Sequence, residues 1–488
     1  MKGNDMERPN KRMLRAILPV AGPLLALLLA ALPVASYAQG QPQSDKIADT
    51  GGLSGDKSWT GADSSKITLS GAIEYALKNN PRMRMAGKDI DMEMYGIDSA
   101  KADRMPRIDF GGGINRYLYD MPLTPVVIQP PITAATEFPL FRRTVWDTGV
   151  TFKLPLFRGG RLVRGVNVAE MKKAVAQDNY RMNRQELVYN ISSVFYKIAQ
   201  LEKLFLANDA SVKQLEEHKR NVEVYLETGS VPRLDLLKTD VELSHAIENR
   251  LVVKNSLAST YELLKTLMGM DDMTVEISII PEETMSQLRT TLEESMSMAI
   301  SQRPDYKAVV KKRLISEEKV KIAEGKRLPD VFAAGQYGGM AGTDTQLKEN
   351  WYYGVRLTMP IFDGGLIRAE INKERVELAK VREEERSLKL SITREVRDGH
   401  LSIANAQERI DVTQKAIESA REGLRVERLK YDTGAGTSQE VIDAQTALLR
   451  AEADYHQAIF DRKTALAYLK KAVGEEEYDI VNTSKSRE

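Results

Sequence analysis

The 488-residue chain has no cysteine and only four histidines, His218, His245, His400 and His456, spaced singly along it. Disulfides, thiolate chemistry and cysteine-rich metal sites are excluded, and the lone histidines read as solvated or packing residues on helices. No HExxH, GxSxG, Walker A or GxGxxG pattern occurs, and the "DTG" at Asp432 lies between two helical runs instead of in a β-rich lobe. No cofactor, metal or enzymatic activity is expected. Long apolar runs are missing too: after residue 38 nothing approaches the roughly 18 uninterrupted apolar residues of a membrane-spanning helix. Charge is nearly balanced, so no nucleic-acid partner is implied.

What is present begins with an export signal. Lys11, Arg12 and Arg15 precede the apolar run "AILPVAGPLLALLLAALPVA", and the small residues of "SYA" offer a cut before Gln39, so residues 1–38 read as a signal peptide. Its removal leaves 65 basic against 67 acidic residues, a net charge of −2. Residues 39–66 are polar and Gly/Ser-rich and predict a disordered segment.

The rest is written twice. "KLPLFRGGR" from Lys153 returns 205 residues later as "TMPIFDGGL", each a strand closing on a proline, Pro155 or Pro360, before a glycine pair, Gly159–Gly160 or Gly364–Gly365. Earlier landmarks, "RMPRIDFGGG" and "RLPDVFAAGQ" or Pro81 and Pro304, are offset by 223. The 18 extra residues sit in one loop, 118–144 against 341–349. The chain therefore divides into 67–270 (helix, hairpin 105–157, long helix 161–228, return helix 233–268), a linker 271–300, 301–474 (helix, hairpin 329–362, long helix 366–433, return helix 438–472) and a tail 475–488.

The hairpins alternate. Trp146, Thr148, Val150, Phe152 and Leu154 share one face and Asp147, Gly149, Thr151 and Lys153 the other; Trp351, Tyr353, Val355 and Leu357 repeat the first face, with Arg356 on the second. A soluble sandwich is one home for such strands. A long apolar face headed by an aromatic residue, in an exported chain, fits outer-membrane strands, with Trp146 and Trp351 in the aromatic girdle. After the glycine pairs the period changes: Leu187, Ile191, Val194, Ile198, Leu201 and Phe205 form a heptad seam, repeated from Ile392. Helices of this length reach about 100 Å.

Four open strands cannot sit in lipid with unpaired edges. A barrel of about eight strands fills with side chains, whereas about twelve leave a conduit, so three copies are expected to share one barrel. Asp147, Lys153 and Arg356 would then face its lumen, and the rods would continue it as an α-helical tube. The expected fold is thus mainly α with a membrane β-barrel, built on an internal tandem repeat.

The doubled "LPLFRGG" and "MPIFDGG", the prolines of "NNPRM" and "QRPDY", and the tips "TGSVPRLDLL" and "TGAGTSQEVIDA" resemble the TolC-like outer-membrane efflux proteins over about Ile67 to Gly474. The resemblance implies a homotrimeric exit duct in the outer membrane of a Gram-negative bacterium, extending into the periplasm and contacting lipid. A periplasmic adaptor would dock on tips carrying Gly229, Ser230, Gly434 and Gly436, with an inner-membrane pump beneath. It further implies a tip held shut by a tyrosine, acids and an arginine: Tyr431 matches the tyrosine, Asp235 the acid, and Glu440 and Asp443 the acidic rings. Gly436 stands where the arginine belongs, with Arg233 as its substitute. Acids in the first turn of a helix also suit the helix dipole without any gate. Protein secretion through a similar duct, and a poreless trimeric coiled-coil adhesin or scaffold, are the competing functions.

Overall fold

Two glycine pairs set the plan of the chain. In the computed structural model, which describes residues 65–122, 141–281, 290–342 and 348–475, Gly159, Gly160, Gly364 and Gly365 have φ between 58° and 89°. An L side chain is strained in that region; the first pair turns strand into helix within two residues, and the second immediately precedes the helix that opens at Leu366. The elements are β1 (Ser65–Ile67), α1 (Leu69–Asn79), α2 (Pro81–Ala102), β2 (Arg107–Pro122), β3 (Phe141–Arg158), α3 (Arg161–Glu227) and α4 (Arg233–Met268). They continue with β4 (Ile277–Ile279), α5 (Leu292–Gln302), α6 (Pro304–Gly325), β5 (Asp330–Gly342), β6 (Lys348–Thr358), α7 (Leu366–Asp432) and α8 (Ser438–Val473). Helix lengths pair off: 11 residues in α1 and α5, 22 in α2 and α6, 67 in α3 and α7, 36 in α4 and α8.

The entering helix of the first half, expected to be continuous, is broken, and that of the second is preceded by a further helix. Asn80 and Arg303 each precede a proline and are extended, with ψ of 126° and 125°, because the pyrrolidine ring bars the preceding residue from the helical region. The segment 271–300, expected as a linker, therefore contains most of α5, started by a Thr291–Glu294 capping box. Both breaks clasp the end of a returning helix. Asn80 Nδ2 donates to the Leu267 carbonyl at 2.8 Å, and Arg303 Nη1 to that of Ala472 at 3.2 Å. A Cβ on Gly269 would lie 2.9 Å from Asn79 O, and one on Gly474 would lie 2.8 Å from Arg303 N. Each return helix thus ends on a glycine seated against the break.

At this mid-height β1 pairs in parallel with β4, Ser65 to Ile277 and Ile67 to Ile279. Ser65 and Lys66 are therefore strand, where the lead-in 39–66 was expected to be disordered throughout. Residues 282–289 and 476–488, which include nearly all of the expected tail 475–488, lie outside the described residues, as do the signal peptide and the loop core 123–140. The main apolar cluster gathers here, with Leu69, Ile73, Ile191, Phe195, Ile198, Leu264 and Met268 almost fully buried. Each is worth about 1.5–3 kcal/mol of transfer. The heptad seam holds at Leu187, Ile191, Ile198 and Leu201, but Val194 and Phe205 are only half buried and Phe195 takes the inward place. Phe195 also faces α1, a helix the two-stranded seam did not include.

The helices lie side by side, in the order α2–α3–α6–α7 toward the sheet and α4–α3–α8–α7 toward the far end. The sheet is antiparallel in the order β2–β3–β5–β6. β3 does not close on Pro155: it runs on to Arg158 through a register shift between Pro155 and Phe157, a bulge that absorbs the missing N–H. The second copy does stop, at Thr358. Its turn is closed by Asp363, which accepts from the backbone N–H of Gly365 at 2.9 Å and of Ile367 at 2.8 Å. In the first copy Arg158 and Arg161 instead pair with Asp330.

Candidate functional site

The sheet has two unlike faces. Ile114 pairs with Trp146, Trp146 with Ala341, and Tyr337 with Trp351, so both tryptophans lie on one face with Ile108, Phe110, Val150, Phe152, Tyr353 and Leu357. Trp351 and Tyr353 stack at 5.9 Å. Phe110, Tyr353 and Leu357 on this face are exposed, and Val150 and Phe152 are half-buried.

The opposite face carries Asp147, Lys153 and Arg356 together with Asn115, Thr151, Gln336 and the glycines Gly111, Gly113, Gly149, Gly338 and Gly354. Asn115 donates to Asp147 at 3.2 Å, and Lys153 Nζ sits 4.6 Å from the centre of the Phe332 ring. A Cβ at Gly338 would come within 2.3 Å of Thr148 O, and one at Gly149 within 2.9 Å of Tyr337 O. Facing glycines let the strands crowd on this side, and a polar groove of about 310 Å³ runs along it. Among the described residues no helix is long and apolar enough to cross a membrane, and no acid or histidine cluster could hold a metal.

The other candidate site is the far tip. α3 ends in a left-handed Gly229, with Ser230 N–H donating to Tyr225 O at 2.7 Å; α7 ends in Gly434, with Ala435 N–H donating to Lys430 O at 2.8 Å. Both glycines are exposed and open. Gly436, where the resemblance would place an arginine, folds back so that its N–H also donates to Lys430 O, and a Cβ there would lie 2.9 Å from the Lys430 Cβ. A side chain at 436 would have to displace the helix end.

Tyr431 is buried, its ring 5.0 Å from His218 and 5.8 Å from Tyr225, and its hydroxyl is without a hydrogen bond. Burial, reinforced by the Asp235 charge, pushes its pKa up to about 12. Glu440 caps its own helix: it accepts from Thr437 N–H at 2.7 Å while Thr437 Oγ1 accepts from Glu440 N–H, which holds its carboxyl below the usual range. Asp443 is exposed and accepts from Gln439 at 2.9 Å. Arg233 is exposed and makes no ion pair among the described residues. The structure therefore gathers Tyr431 and Asp235 at one locus, and leaves Glu440, Asp443 and Arg233 on the surface of a single chain.

Sequence reasoning missed the residues that surround the tyrosine. His218 Nε2 lies 2.8 Å from Ser438 Oγ, Ser438 Oγ lies 3.3 Å from Thr239 Oγ1, and Thr239 donates to the Asp235 carbonyl at 2.8 Å. His218, Ser438 and Thr239 are all buried. Burial first, then the Arg428 charge, lowers the His218 pKa; Asp432 and Asp235 oppose this. The available signal was the heptad: carried on from Leu201 to Leu215 and Val222, the seam has His218 as the inward residue between those two.

Residues 72–270 and 296–475 match the family model described as outer membrane efflux protein, and the chain belongs to that family. It is 23% identical to the outer membrane efflux protein BepC of Brucella suis over 85% of this chain and 87% of that one. It is 20% identical to the outer membrane protein TolC of Vibrio cholerae, over 84% and 91%. In fold it is similar to a crystal structure of a membrane protein from Pseudomonas aeruginosa, with a TM-score of 0.74 at 19% identity, covering 85% of this chain and 92% of that one. It is an outer-membrane efflux protein of a Gram-negative bacterium.

Proposed function

We propose that three copies of this chain close one 12-stranded barrel and one helical tube, forming a duct through which small molecules leave. An adaptor in the periplasm would dock on the tips around Gly229, Ser230, Gly434 and Gly436, and an inner-membrane pump would feed it. The two halves of each chain are read as duplicates of one unit. The observation that carries the proposal is the sheet: four strands whose outer edges, β2 and β6, have no partner among the described residues, with an exposed aromatic face on one side and a polar, glycine-rich face on the other. In lipid each unpaired backbone group costs several kcal/mol, so the edges must be closed by other copies. Asp147, Lys153 and Arg356 then line water.

At the tip, Tyr431 with Asp235 is proposed as the closed contact. Glu440 and Asp443, exposed on α8, are proposed as carboxylate rings narrowing the passage. Arg233 is free to meet a neighbouring copy. Light scattering of the detergent-solubilised chain should give the mass of three copies; a monomer sinks the shared barrel. Conductance of planar bilayers should rise for Tyr431→Ala and Asp235→Ala, and an unchanged conductance removes them from the gate.

A further inference from the structure

α3 and α6 meet in the middle of the chain along a buried seam. Val168, Val175, Ala308 and Ile315 form its apolar part, with Met171 packed against them. Asp178, almost wholly buried, accepts from Lys311, and Arg164 donates to Glu318 at 2.8 Å. A carboxylate buried to that degree needs its cation, since the pair compensates desolvation only when both members are present.

The offsets that relate the two halves carry this seam onto the two outer helices of the layer. Adding 205 takes α3 to α7, and subtracting 223 takes α6 to α2. Asp178 becomes Glu383 and Lys311 becomes Lys88, so both charges keep their sign. Met171 becomes Val376, Ala308 becomes Met85, and Ile315 becomes Met92. Arg164 and Glu318 become Ala369 and Tyr95, an apolar pair. Val168 and Val175 become Lys373 and Lys380, whose stems can lie over methionine. Within one chain α2 and α7 stand at opposite edges of the layer. Their residues are accordingly bare: Met85 is 64% exposed, Met92 62% and Val376 70%, whereas their counterparts Ala308 and Ile315 are 3% and 7%. Lys88 and Glu383 have only exposed neighbours on their own helices, Asp91 and Arg386, contacts worth little.

We infer that Lys88 of one copy forms an ion pair with Glu383 of the next, over a bed of Met85, Met92 and Val376, reproducing between chains the Asp178–Lys311 seam within one. The inference rests on the proposed assembly of identical copies and on the duplicate reading of the halves, and it names the occupant of both bare faces. The contact is head to tail: the α2 face of each copy meets the α7 face of its neighbour, and repeating it around an axis closes a ring.

The mature protein in detergent tests it. Lys88→Glu and Glu383→Lys should each reduce the oligomer in unheated gels several-fold, and the double reversal should restore most of it. Oligomer unchanged in both single variants, or not restored in the double, overturns the pairing. Because the chain has no cysteine, Lys88→Cys with Glu383→Cys supplies two defined thiols. A short bis-maleimide, each end of which adds one thiol, should yield covalent dimers and trimers from this variant and from neither single-cysteine variant. An assembled sample that yields no linked species overturns the pairing while leaving the assembly intact; a monomeric parent protein overturns the assembly as well.

Discussion

The same corner occurs twice in this chain, once packed and once bare. At the first, Phe157 is 46% exposed, and a Cβ on Gly159 would lie 2.1 Å from the Gly325 carbonyl. At the second, Phe362 is 91% exposed and a Cβ on Gly364 would meet nothing within 4 Å. The glycine pairs share the left-handed backbone at both; what differs is that β5 and α6 pack against the first corner, whereas among the described residues nothing packs against the glycines of the second. The contrast teaches that exposure here reports position in the layer, not a residue's preference for water.

Substitutions at these places separate the two environments. The largest effect is expected for Gly159→Ala, where a positive φ is combined with a backbone collision; the variant should lose more than about 3 kcal/mol, or fail to assemble, as read by denaturant unfolding and by oligomer yield. Tyr431→Ala should come next, removing a buried ring at a local cost of about 3–5 kcal/mol. Tyr431→Phe should be neutral or slightly stabilising, because the hydroxyl has no partner to lose. If the phenylalanine variant is as damaged as the alanine one, the hydroxyl has an unseen role.

A smaller effect is expected from pH. Burial depresses the His218 pKa, so the folded tip resists protonation more than the unfolded chain does. Its contribution is complete above about pH 6.5, the unfolded value, and is lost as pH falls through the lower folded value. Amide exchange of the tip residues should therefore quicken on acidification, and His218→Gln should flatten that dependence. The smallest effect belongs to Gly364→Ala: strain alone, about 1–2 kcal/mol. A loss as large as that of Gly159→Ala would mean that a neighbouring copy crowds the second corner as α6 crowds the first.

Much of the architecture was legible because it is local. Alternation in "WDTGVTFKL", the glycine pairs and the proline-free runs each act within a few residues, and the doubling let each element vouch for its counterpart. The break at Asn80 was also local, since proline forbids a helical residue before it, yet the surrounding periodicity concealed it. Helix α5 was missed because 11 residues carry too little periodicity to stand out. The tip was half legible. Tyr431 and Asp235 came from the resemblance, but the contact of His218 with Ser438 joins residues 220 apart across a lateral packing of two hairpins, and no short-range pattern encodes that. Gly436 was legible as a departure; its reason, the collision with Lys430, needed the fold.

Asp363 has a consequence for the life of the chain before assembly. Its two carboxylate oxygens brace the second corner with bonds that lie within the turn itself, where the first corner leans on β5. In the proposed assembly a single copy would thus hold its outer margin already bent at the angle a companion must meet, and recognition would begin from a rigid template instead of a loose end.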